Sequence, residues 1–230
     1  LGHGPNSDSV FGSARLQSRM KRSIDEHADR FSDHAAEYDE SQDAEEYRDC
    51  ADLVVRHAAP TDDDVVLDLG TGTGAIAFPL AETASAVVGR DISDGMLEEA
   101  RAKAEDRGVD NVSFGEGRFR EPSVDRPVDI VTSNFAMHHL DDEAKREAID
   151  VIASLEPRRF VLGDVMLFGD PDSSVPFYDP SVDDPATVGV LADAFTDAGF
   201  ALTAVEMVHD QVGVLVGERV PDVDADLGER

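Results

Sequence analysis

The stretch Asp68-Leu69-Gly70-Thr71-Gly72-Thr73-Gly74 sets an acid ahead of three glycines at alternate positions. Glycines let the chain turn sharply and let a ligand approach the backbone without Cβ atoms in the way. Behind them Ala75-Ile76-Ala77-Phe78 opens a helix, so the loop would present free N–H groups to a nucleotide-like ligand at a helix N-terminus. The spacing Gly70-x-Gly72-x-x-Ala75 also satisfies the G-x-G-x-x-G/A pattern of dinucleotide-binding loops. Asp68 separates two ligand classes, because an acid at a strand end repels a pyrophosphate and suits a cationic ligand. A second acid, Asp91, follows Gly70 by about twenty residues, where a carboxylate at the end of the next strand takes ribose hydroxyls. Farther on, His138-His139 follows another apolar run. An imidazole there can act as general base, or it can simply shape its loop.

These residues need a frame. Val65-Val66-Leu67 reads as a strand buried on both faces, as at the centre of a parallel sheet. A helix through Ala81 leads to a second apolar run, Ala86-Val87-Val88-Gly89, and then to a helix with Ser93 as N-cap and Gly108 as its C-terminal stop. Further strands are expected near 111–115, 128–133 and 160–166, with Asp141-Asp142-Glu143 favouring the dipole of an intervening helix. A helix over 187–198 precedes two closely spaced runs, 200–208 and 211–218, which read as an antiparallel hairpin. Ahead of the core, Leu16, Met20, Ile24, His27 and Phe31 form one apolar helical stripe, and a second helix is expected over 43–58. The expected organisation is a disordered stretch 1–11, N-terminal helices over 12–60 capping the site, a core over 61–219 and an acidic tail over 220–230.

Taken together, the run Val66-Leu67-Asp68-Leu69-Gly70-Thr71-Gly72-Thr73-Gly74 resembles motif I of the class I S-adenosylmethionine (SAM)-dependent methyltransferases. Gly89-Arg90-Asp91-Ile92-Ser93-Asp94-Gly95-Met96-Leu97 resembles their G-x-D-x-S-x-x-M-L segment, and Val128–Leu140 resembles motif IV of the small-molecule, UbiE-like branch. Phe31–Asp39 is similar to the F-[D/S]-x-x-A-x-x-Y-D stretch that helps close the SAM site in that branch. The resemblance covers roughly residues 31 to 218 and implies an α/β, Rossmann-like fold: a seven-stranded, mostly parallel sheet with helices on both faces and a C-terminal antiparallel hairpin. It implies S-adenosyl-L-methionine as cofactor and methyl transfer by in-line displacement. Cofactor-binding positions would be Asp68, Gly70, Thr71, Gly72, Gly74, Asp91, Ile92, Met96, Arg118, Phe119, Asn134 and Tyr38, with His138 and His139 as catalytic candidates. Arg118 departs from the pattern: the family has an Asp that accepts a bond from the adenine amino group, which arginine cannot do. The [N/D/S]-P-P-[Y/F] motif of enzymes that methylate exocyclic amines of bases or glutamine amides is absent, and Asn134-Phe135-Ala136 stands there. Phe177 and Tyr178, in a Pro- and Asp-rich segment over 168–185, are expected to set specificity.

Composition bounds the rest. With 50 Asp and Glu against 20 Lys and Arg, the formal net charge is −30. Such a surface repels itself in dilute buffer but is screened at molar salt, where the Debye length is about 3 Å, so the chain reads as salt-adapted and of halophilic origin. The single cysteine, Cys50, excludes an intrachain disulfide and a Cys cluster for zinc; no metal ligands are assigned, and a reducing, cytoplasmic setting fits. No run approaches a membrane span, and the N-terminus lacks the apolar region of a signal peptide. The methyl acceptor is not identified. One alternative is a tRNA or translation-protein acceptor, with a small activator subunit covering apolar surface. The others are an NAD-dependent oxidoreductase and a non-catalytic SAM-binding module.

Overall fold

The computed structural model describes residues 44–170 and 175–219, together with Glu26, residues 28–32 and Ala35. The elements in chain order are α1 (Glu45–Ala58), β1 (Val65–Leu69), α2 (Ala77–Ala81), β2 (Ala86–Asp91), α3 (Asp94–Arg107), β3 (Val112–Glu116) and β4 (Ile130–Asn134). A 3-10 turn (Met137–His139) leads to α4 (Asp142–Ser154), β5 (Arg159–Leu167), β6 (Ala186–Thr187), α5 (Val188–Asp197), β7 (Phe200–His209) and β8 (Val212–Arg219). Residues 28–32, ahead of α1, are helical.

The strands lie in the order β3-β2-β1-β4-β5-β8-β7. Those from β3 to β5 run parallel, and β8 turns antiparallel to both β5 and β7. The expected seven strands and terminal hairpin are present, and an eighth, the two-residue β6, pairs with the end of β5. A pairing this short has no periodicity for sequence to reveal.

Alternation along the strands divides the interior into two cores. Val66, Val87, Ile130 and Val161 face Cys50, Val54 and Ala58 of α1 and Ala77 and Leu80 of α2. Their neighbours Leu67, Val88, Val131, Phe160 and Leu162 face Ala148, Ile149 and Ile152 of α4 and Leu191 and Phe195 of α5. Successive side chains point to opposite faces, so a strand apolar at every position must be covered on both. The ring of Phe160 stacks on Phe195 at 4.7 Å. Among the described residues no helix is long and apolar enough to cross a membrane.

The strand order reverses between β1 and β4, its first parallel neighbour on the other side. Loops leaving the carboxyl ends of those strands diverge there and open a crevice.

Candidate functional site

That crevice holds a cavity of about 590 Å³, within the range of small-molecule sites. Its first wall is backbone. β1 ends at Leu69, and Gly70 (φ +73°), Gly72 (φ +53°) and Gly74 (φ +92°) all take left-handed conformations that cost other residues about 1–2 kcal/mol each. Gly70 must also lack a side chain, because a Cβ there would lie 2.3 Å from that of Ala136. Around Gly72 such an atom would meet nothing within 4 Å, so the loop leaves open space there. The free N–H groups expected from sequence are not found at four of its positions: Gly70 and Thr71 donate to the Arg90 carbonyl, Gly74 to the Thr71 carbonyl and Gly72 to Asp91.

Asp91, at the end of β2, organises this wall. One carboxylate oxygen accepts from Gly72 N at 2.8 Å and the other from Ser93 N at 2.9 Å. Burial raises its pKa against the bonds donated by Ser93, Gly72 and Ile92. Asp68 lies buried below the loop and accepts from the Thr132 hydroxyl at 2.8 Å. Burial pushes it up to about 6 against the hydroxyls of Thr71 and Thr132, while its Oδ2 has no partner of hydrogen-bond geometry among the described residues. Among the described residues, neither carboxylate is paired with a basic side chain. Two buried acids held up in pKa, one at the rim and one beneath, favour a cation in the cavity.

The second wall is side chains. Asn134 ends β4; its Oδ1 takes the Cys50 thiol at 3.5 Å, and its buried Nδ2 has no partner among the described residues. Phe135 follows in a strained left-handed conformation (φ +49°) and stacks on Tyr47 at 4.6 Å. The 3-10 turn then carries the two histidines. His138 Nδ1 lies 2.5 Å from Asp164 Oδ1 on β5, and the other oxygen of Asp164 accepts from the backbone of Met137 and His138. Burial pulls the His138 imidazole down, but the Asp164 carboxylate outweighs it and holds the pKa above its ordinary value. His139 Nδ1 lies 2.8 Å from Asp183 Oδ1, and the ring sits 5.4 Å from Phe31.

Of the positions singled out from sequence, Gly70, Thr71, Gly72, Asp91, Ile92, Met96, Arg118, Phe119, Asn134 and His139 line the cavity. Asp68, Gly74 and His138 do not. Asp68 points into the sheet toward Thr132, Gly74 lies against the Phe78 ring, and His138 is turned onto Asp164. Tyr38 lies outside the described residues. Phe177 and Tyr178 are not on the wall either: Phe177 lies behind Phe135 at 6.1 Å, and its backbone is held by Gln211. Missed from sequence were Tyr47, Arg48 and Asp52, which α1 brings to the cavity, and Asp164, Asp183 and Lys145, which brace the histidines. Regular helix periodicity marks the buried stripe of α1, not the residues at its flank. Nor does sequence separate Asp183 from the other acids of its segment.

The profile of a family described as a methyltransferase domain matches residues 66–156. An uncharacterized methyltransferase of Oceanobacillus iheyensis is 32% identical over 149 residues, 61% of this chain and 68% of the relative. The chain belongs to the methyltransferase family. It spans about half to two thirds of the length of the curated relatives it matches. Two solved structures share the fold of this methyltransferase. One is the magnesium protoporphyrin IX methyltransferase of Synechocystis with bound SAM: TM-score 0.62, 23% identity, 76% of this chain and 80% of that one. The other is a chain of the complex between the Haloferax volcanii Trm112 methyltransferase activator and a methyltransferase: TM-score 0.68, 20% identity, 82% of this chain and 96% of that one.

Proposed function

We propose that this methyltransferase uses S-adenosyl-L-methionine and transfers its methyl group to an acceptor held at the side-chain wall of the cavity. The observation that carries the reading is the pair of buried acids, Asp68 and Asp91, which have no basic partner among the described residues around a glycine-walled cavity. SAM brings a sulfonium and an ammonium and no phosphate, so it suits that electrostatic demand where a dinucleotide would aggravate it. Asp91 would take the ribose hydroxyls, Ile92 and Met96 would flank the adenine, and the orphaned Nδ2 of Asn134 would find an acceptor on the ligand. Arg118 lines the cavity where the family has an acid, so adenine would be read there by backbone groups. When bound, SAM supplies the electrophilic methyl and its own leaving group. The chain's residues then orient the acceptor in line, exclude water and accept its proton.

Calorimetric titration of S-adenosylhomocysteine at molar KCl tests the reading, with NADH as control for the dinucleotide alternative. Micromolar binding of the first alone is expected. Binding of NADH alone would overturn it.

A macromolecular acceptor with an activator subunit has its own support. The Haloferax chain solved in a Trm112 complex is matched over 96% of its length, and Val205 and Met207 stand exposed side by side on the edge strand β7. Saline composition fits that source too, with the net charge of −30. Insolubility when expressed alone, cured by coexpressing an activator, is the outcome that would favour it.

A further inference from the structure

The two histidines converge on one carboxylate. His138, His139 and Asp183 each place one donor atom within 4.8 Å of the other two. Asp183 Oδ1 lies 2.8 Å from His139 Nδ1 and 3.9 Å from His138 Nε2, and the two rings are 4.0 Å apart between centroids. Ligands at the 2.0–2.2 Å typical of zinc stand roughly 3.3 Å from one another in a tetrahedron, so the three are within small side-chain movements of closing on one ion.

Two further features distinguish this cluster from a chance meeting of polar groups. First, His138 is oriented from behind. Asp164 occupies its Nδ1 at 2.5 Å and is itself fixed by the N–H groups of Met137 and His138, leaving Nε2 as the atom turned toward Asp183. A carboxylate behind a histidine is the usual support of a metal-ligating imidazole. Second, the two segments carrying the ligands are stapled. Asp184 N donates to the carbonyl of His138 at 2.7 Å, and the buried Lys145 ammonium bridges the carbonyls of Leu140 and Asp184.

We propose that His138, His139 and Asp183 bind a divalent first-row transition-metal ion, with Asp164 as the positioning residue behind His138. Two imidazoles and one carboxylate select ions such as Zn²⁺, Fe²⁺ or Mn²⁺ over Mg²⁺ or Ca²⁺, which demand oxygen ligands. Three protein ligands leave a coordination position open. His139 also borders the cavity, so the ion would lie one side chain from the acceptor, where a Lewis acid lowers the pKa of a bound hydroxyl. That last consequence rests on the proposed methyl transfer, whereas the metal site itself does not.

The test reads metal directly. Full-length protein is stripped with a chelator and loaded separately with Zn²⁺, Mn²⁺ and Co²⁺ in molar KCl, which screens the acidic surface. After removal of excess ion, bound metal is counted by mass spectrometry. About one equivalent of at least one ion is expected, and Co²⁺ should give visible absorption from nitrogen and oxygen ligation. Asp183→Ala and the more exposed His139→Ala should each weaken binding by roughly 100-fold in chelator competition, and Asp164→Asn by about 10-fold. Sub-stoichiometric metal in the wild-type protein would overturn the proposal. So would stoichiometric binding unaffected by His139→Ala, which would place the ion elsewhere. Because these readouts need no turnover, a protein that binds metal but not S-adenosylhomocysteine would keep this inference and sink the cofactor reading.

Discussion

The two walls of the cavity are made by different means. The glycine wall comes from two short stretches, 69–76 and 91–96, in which backbone torsions and one acid, Asp91, do the shaping. The histidine wall comes from side chains on the 3-10 turn, on β5 and on the segment before β6, joined through Asp164, Asp183 and Lys145. The backbone-built wall has room for a side chain only at Gly72, where a substitution should cost no more than its left-handed torsion yet lose the ligand. A side-chain-built wall should lose stability when one buried polar partner is removed, because each one satisfies several others.

The sharpest way to break the second wall is Asp164→Ala. It strips partners from the His138 ring and from the N–H groups of Met137 and His138, all buried. Removing one member of a buried charged pair costs about 3–5 kcal/mol, and denaturant unfolding at molar KCl should show a loss of that size. A loss below about 1 kcal/mol would mean that the wall does not depend on this aspartate. Since Asp164 holds the His138 pKa up, its contribution is present at low pH and fades as pH rises through the raised value. The gap between wild type and variant should therefore narrow toward alkaline pH.

Asp68→Asn should move the other way. The folded state raises this carboxyl from 3.8 to about 6, so folding takes up a proton between those values and the ionised group opposes folding above them. Two pKa units correspond to roughly 3 kcal/mol. The variant keeps an acceptor for Thr132 and carries no charge, so it should be more stable than wild type at pH 7.5. The advantage should shrink as pH falls through about 6 toward 3.8. It should also bind S-adenosylhomocysteine more weakly than wild type binds it, if the buried charge serves the cation. Equal stability at pH 7.5 would show that Asp68 is not destabilising in place.

The same contrast explains what sequence reading could reach. The individual strands and the terminal hairpin follow from apolar runs whose lengths and turn residues are local, whereas the mostly parallel sheet is what the family resemblance implies. The glycines are visible because the loop that uses them contains them, and Asp91 because it closes the next strand at the expected spacing. Asp183 pairs with a histidine 44 residues away, and nothing in its own Pro- and Asp-rich segment predicts that partner. Phe177 misled for a related reason. Aromatics in a long connection suggest a substrate cap, but this one is spent bracing Phe135 from behind.

For the first wall, Gly72→Ala separates shape from stability. A Cβ there meets nothing within 4 Å, so the cost is the left-handed backbone alone, about 1–2 kcal/mol. The added methyl and the altered loop should nevertheless weaken S-adenosylhomocysteine binding at least tenfold by calorimetry. Unchanged affinity would mean that the ligand does not approach this part of the loop.

The smallest effect tests where the two walls meet. Ser93 caps α3 by accepting from Met96 N at 3.2 Å, and its hydroxyl lies 2.9 Å from that of Ser32. Ser32 in turn accepts from Gly95 N, while its neighbour Phe31 sits against His139 across the cavity. One serine thus caps a helix of the glycine wall and anchors a segment that reaches the histidine wall. Ser93→Ala should cost about 1 kcal/mol in unfolding, as the loss of an N-cap does, whereas Ser93→Gly should cost only a few tenths. Both variants lose the contact to Ser32, so both should speed hydrogen exchange over residues 28–32 to a similar extent. If exchange there accelerates only in the alanine variant, the segment is held through the stability of α3. If it accelerates in both, the hydroxyl pair itself is the tie.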